Sequence, residues 1–84
     1  MDAKENLLRQ AGFRYNFDRM SYVNRAAKKV FSVEYVEDKS EDLLMEKIRE
    51  RNDSGEWQFY FNETPSPGVK RDFLAEINER RAAD

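Results

Sequence analysis

Lys29-Val30-Phe31-Ser32-Val33-Glu34-Tyr35-Val36-Glu37 is the longest run of strand-forming residues in the chain, and the fold turns on it. β-branched and aromatic side chains suit a pleated, half-buried surface. At a period of two, Phe31, Val33 and Tyr35 fall on one face. Val30, Ser32, Glu34 and Val36 fall on the other. The run therefore reads as a central strand of a small sheet, with Phe31, Val33 and Tyr35 turned toward the helices. A glutamate in the middle of the second face implies that this face is partly wet.

Working outward toward the N-terminus, Asn24-Arg25-Ala26-Ala27 is a turn. It lacks glycine, so a loop of about three to five residues is expected rather than a two-residue primed turn. Met20 to Asn24 forms the preceding strand. Phe13, Tyr15 and Phe17 alternate with Arg14 and Asn16 in a strand before that. The alternation changes phase at Asp18-Arg19, which we read as a turn in preference to a bulge, because Asp is at home in turns. Ahead of these strands, Leu7, Leu8 and Ala11 line one side of a short helix. Asp2 and Glu5 have capping-box spacing. Gly12 suits the left-handed residue that ends the helix, with Phe13 folding back on Leu8.

Toward the C-terminus, Ser40 caps a helix whose first turn carries Glu41 and Asp42, where the helix dipole favours negative charge. Leu44, Met45 and Ile48 form its buried stripe. Asn52-Asp53-Ser54-Gly55 is a loop. Trp57, Phe59 and Phe61 then mark a strand, with Gln58 and Tyr60 on its opposite face. Ser66 as N-cap and Pro67 at the first helical position open a last helix with the stripe Val69, Phe73 and Ile77.

The order is α-β-β-β-α-β-α. The fold expected is a single α+β domain over residues 1–84, a mainly antiparallel sheet of three or four strands packed against three helices. Parallel pairing of the last two strands would require a right-handed crossover. Residues 1–2 and 82–84 are expected to fray. In outline the first five elements resemble the double-stranded-RNA-binding domain. That family places a basic cluster at the start of its second helix, where this chain has Ser40-Glu41-Asp42, the wrong sign for phosphate. The extra strand and helix depart from it as well, and the chain is not assigned to that family.

Composition excludes more than it suggests. There is no cysteine and no histidine, which removes disulfides, the common zinc ligands and the commonest general base. No apolar run is long enough for a membrane span or a signal-peptide core. A cytoplasmic protein with no cofactor, no metal and no catalytic residues is the simplest expectation. Charged residues are 38% of the chain, but the net charge is only −2, and six Phe, four Tyr and one Trp supply a core. Such a balance gives no global attraction to nucleic acid or anionic membranes.

Two surface constellations remain. Tyr60, Val30 and Val36, with Glu34 between the valines, would form an exposed apolar patch if helices cover one side of the sheet only. This makes them candidates for binding a protein partner or a second copy of the chain. The alternative is a basic hairpin tip, Arg25, Lys28 and Lys29, with Arg14 and Arg19 near it in sequence. Tyr15 and Tyr22 beside it suggest basic-plus-aromatic binding of nucleic acid. The acidic group Glu37, Asp38, Glu41 and Asp42 reads as a solvated helix start, since it has no ligand loop of calcium-binding spacing. A non-enzymatic interaction or self-association module is the leading expectation.

Overall fold

The computed structural model describes residues 3–81 and shows a small α+β domain built on a four-stranded mixed sheet. Helix α1 is Ala3–Gln10. Strands β1 (Arg14–Asn16), β2 (Ser21–Asn24) and β3 (Lys29–Ser32) form an antiparallel meander. Helices α2 (Val33–Asp38) and α3 (Glu41–Arg49) carry the chain across to β4 (Gln58–Tyr60), which lies parallel to β3. Helix α4 is Pro67–Arg81. The strand order is β1-β2-β3-β4, so β1 and β4 are the edges. The Asp2 cap and the expected fraying of residues 1–2 and 82–84 fall outside the described residues.

Local chemistry explains most boundaries. Gly12 has φ 99, and the Phe13 and Gly12 amides bond to the Leu8 and Arg9 carbonyls at 2.9 and 3.1 Å. This is a Schellman end, and it delivers Phe13 into the core beside Leu8. Both hairpins use the same four-residue loop. Asn16 Oδ1 accepts from the Arg19 amide, and Asn24 Oδ1 accepts from the Ala27 amide. Each loop closes on a left-handed residue, Met20 at φ 48 and Lys28 at φ 55. Asp18-Arg19 therefore lies in a turn. Ser40 and Ser66 cap α3 and α4 by accepting from the Leu43 and Val69 amides.

The long central strand does not form. It stops at Ser32, whose hydroxyl accepts from the Tyr35 amide at 3.1 Å and starts α2. A side-chain cap of this kind offers the backbone an alternative to the sheet ladder. Glu34 sits in the first turn of the new helix, where the dipole favours it. Helix α2 buries Tyr35 and Val36. The described residues therefore form four helices rather than three, and β3 keeps only Lys29–Ser32.

Helices cover both faces of the sheet, not one. On the first face Phe31 packs with Leu8 and Phe13, Tyr35 and Val36 of α2, and Leu44 of α3. On the second, Val30 packs with Phe73 and Ile77 of α4, with Trp57, Phe59 and Phe61 half-buried around them. Val69, expected on the buried stripe of α4, is 49% exposed. No described helix is long and apolar enough to cross a membrane.

Candidate functional site

The register lines up side chains in rows across the sheet. Tyr15 pairs with Tyr22, Tyr22 with Phe31, and Phe31 with Tyr60, so an aromatic row spans all four strands on the first face. Phe31 and Tyr60 stack with centroids 4.5 Å apart. At the other end Tyr15 lies 5.0 Å from Tyr22 and 4.8 Å from Phe17, edge to face. Aromatic pairs at these separations stabilise beyond their buried area. The row starts in the core and runs out at the β1 edge, where Phe17 is 81% exposed.

The parallel row on the second face is Arg14, Val23, Val30 and Phe59. It ends at the same edge in an exposed arginine. Strand β1 is thus a ridge between two grooves. The groove on the first face, about 590 Å³, has a floor of Phe13, Tyr15, Phe17 and Tyr22 and a rim of Glu5 and Arg9, which approach to 3.9 Å. The groove on the second face, about 320 Å³, mixes Arg14, Asn16, Asn24 and Arg25 with Val23 and Ile77. Gly12, Arg14 and Tyr15 border both grooves.

This is not the site the sequence points to. The proposed apolar patch does not exist: Val30 is 0% exposed under α4, and Val36 is buried in α2. Tyr60 is half-buried on the opposite side of the sheet from Val30, stacked on Phe31. Glu34 is exposed, but on α2 rather than on a strand. The structure does not bring these four together on one surface, because the strand ends at Ser32 and α4 covers the second face.

The basic tip is dispersed as well. Arg25 Nη2 donates to the Ile77 carbonyl of α4 at 3.0 Å. Lys28 Nζ donates to the Gly55 carbonyl at 2.9 Å. Lys29 is 1% exposed, and its ammonium donates to the carbonyls of Lys47 and Ile48 at 2.8 and 3.1 Å and to that of Glu50. Burial pulls its pKa below the usual 10.5, and the Glu50 carboxylate acts in the opposite sense. It is a structural cap on the C-terminal end of α3, not a surface cation. Burial, Glu50 and a hydrogen bond to Glu50 push the Tyr60 hydroxyl up to about 12.

Arg14, Tyr15 and Tyr22 stand out in the sequence only as neighbours of the basic tip Arg25, Lys28 and Lys29. Phe17 does not stand out, because at strand spacing it reads as core. The signal available was the excess of aromatics in Phe13, Tyr15 and Phe17 over what a short edge strand can bury. No three His, Cys, Asp or Glu residues converge into a metal site among the described residues. Set against known proteins, the chain matches no family model, no curated protein and no solved structure. What the geometry defines by itself is a small mixed-sheet domain with an open, aromatic edge.

Proposed function

We propose that this protein is a binding module rather than an enzyme, and that it engages a protein partner along the edge of β1. The observation that carries this is Phe17, 81% exposed and held edge to face against Tyr15 at the open end of the aromatic row. Met20, in the same loop, is 61% exposed. An exposed apolar cluster held in place by packed neighbours is the usual mark of an interface. Aromatic anchors carry much of the energy of such contacts, and arginine is enriched beside them, as Arg9 and Arg14 are here.

The test is capture of partners from an extract of expressing cells, with the wild-type chain and Phe17→Asp as parallel baits, together with mass in solution. The expected outcome is a partner retained by the wild type and lost with Phe17→Asp, while both chains melt at similar temperatures. Equal retention by both baits, or a wild type that is monomeric and captures nothing, would sink the proposal.

A further inference from the structure

We infer that residues 29–37 are a self-pairing segment, which joins antiparallel to the same residues of a second copy of the chain once the fold opens. The inference is independent of the binding proposed at β1. Its first support is the run itself, Lys29-Val30-Phe31-Ser32-Val33-Glu34-Tyr35-Val36-Glu37. Turned about Val33 and laid on a second copy, it sets Lys29 opposite Glu37, Val30 opposite Val36, Phe31 opposite Tyr35 and Val33 opposite Val33. Opposite charges and aromatic pairs stabilise facing strands. Parallel stacking would instead face Lys29 with Lys29, Glu34 with Glu34 and Glu37 with Glu37, three like-charge contacts. The complement of this run, in charge and in side-chain type, is the same run reversed.

The second support is what the fold leaves these residues to pair with. Lys29–Ser32 is held between β2 and β4, and Val33–Asp38 is wound into α2. Beyond Ser32 neither neighbouring strand offers a continuation. On the β2 side the ladder runs one step further, with the Val33 amide donating to the Met20 carbonyl at 3.0 Å. It stops there because Met20 is left-handed, at φ 48, and belongs to the hairpin loop. On the β4 side, the register that sets Phe31 beside Tyr60 would set Glu34 beside Glu63 and Val36 beside Pro65. The first is a like-charge pair, and the second brings in a residue with no amide hydrogen. The strand preference of Val33, Tyr35 and Val36 thus has no outlet within the chain. Helix α2 has six residues, too few to hold as a helix without its burial of Tyr35 and Val36. Once that burial is lost, the strand partner that fits is another copy.

Trp57 to Phe61 is the competing run. It is uncharged, but it falls short of the roughly six or seven residues that such pairing takes. Laid on itself about Phe59, it sets Glu56 opposite Asn62 and Glu63 opposite Gly55, with no opposite charge to fix the register.

The experiment uses the full chain near the midpoint of its urea transition, where opened copies are populated, with each variant at its own midpoint. Light scattering follows assembly, infrared spectra with a labelled carbonyl at Val33 report the direction of pairing, and amide exchange of the assembled material locates it. The wild type is expected to assemble faster at higher concentration, with an antiparallel signature and protection over residues 29–37. Glu37→Gln should slow assembly by about threefold or more, because it removes the partner of Lys29. In parallel stacking the same change would relieve a repulsion and speed it. Glu37 is exposed and accepts from Lys4 Nζ through its backbone carbonyl at 3.0 Å, a bond the substitution leaves in place. Val33→Pro should slow assembly by about tenfold or more, since it puts proline in the middle of the pairing. Val33 opens α2 and follows an extended Ser32, at φ −71 and ψ 153, so proline suits the native backbone there and gives up the bond to Met20. A wild type that stays monomeric at its midpoint, faster assembly of Glu37→Gln, or protection centred on residues 57–61 would each overturn the inference. So would assembly slowed by Phe17→Asp and not by Val33→Pro, which would place the contact at the β1 edge.

Discussion

Lys29 and Val30 are neighbours that leave the sheet on opposite sides, and each is fully enclosed. Val30 meets Phe73 and Ile77. Lys29 reaches the end of α3, where three main-chain carbonyls accept from its ammonium. Three donors meet three acceptors that the helix itself cannot satisfy. Lys29→Met keeps the length of the stem and removes the donors. Urea denaturation should show a loss of about 2–4 kcal/mol, from carbonyls left buried without partners. A loss within error would mean that water replaces the ammonium at no penalty. Tyr60 gives a pH test. Its hydroxyl pKa is about 12 in the folded chain against 10 unfolded, so the folded state holds a proton that the unfolded chain releases between those values. The stability this provides is complete below pH 10 and is lost as pH rises through 12. Lys29, with a lowered pKa, acts in the opposite sense as pH climbs toward 10.5, since the unfolded chain then holds the extra proton. Melting temperatures of wild type and Tyr60→Phe should therefore converge across the alkaline window. Parallel curves would show that the hydroxyl is not the group responsible.

At the scale of the element, Ser32 decides whether residues 33–38 extend β3 or form a helix. Local preference for strand in Val33, Tyr35 and Val36 opposes the cap, and the helix prevails because it buries Tyr35 and Val36 against Leu8, Phe31 and Leu44. Ser32→Ala should remove about 1 kcal/mol, the typical value of an N-cap. Native-state hydrogen exchange should show faster exchange in α2 while the β2–β3 ladder keeps its protection. Uniform loss across the domain would mean that α2 does not open separately. The caps at Gly12, Ser40 and Ser66 were legible in the sequence, because each agrees with the hydrophobic pattern around it. Ser32 was not, since its capping preference competes with a strand pattern of equal length. Two separate features break up the expected patch: Val36 leaves the sheet with α2, and the β3–β4 register sets Tyr60 beside Phe31 and Phe59 beside Val30.

At the scale of the molecule, α4 is what closes the second side of the sheet. It is held by Phe73 against Phe59, with centroids 5.7 Å apart, and by Ile77. Each hairpin loop adds an arginine. Arg19 Nε reaches Glu76 at 2.6 Å, and Arg25 reaches the Ile77 carbonyl. Phe73→Ala should destabilise by about 3–5 kcal/mol. A chain of this size has a total stability on the order of 5–10 kcal/mol, so the variant should melt far lower by circular dichroism or fail to fold. A melting temperature near that of the wild type would mean that α4 contributes little to the core.

Sequence alone determined the element types outside residues 33–38, most of their ends, the two hairpins and the aromatic supply of the core. These follow from capping chemistry, turn residues and periodicity, all of which act over a few residues. Tertiary structure alone decided that β3 stops at Ser32, that β4 lies parallel beside it, and that α4 takes the second face. It therefore also decided which apolar residues stay outside. Phe17 and Val30 carry the same kind of sequence signal. One is exposed at an edge and the other buried beneath a helix, because burial depends on which distant element arrives to cover the surface.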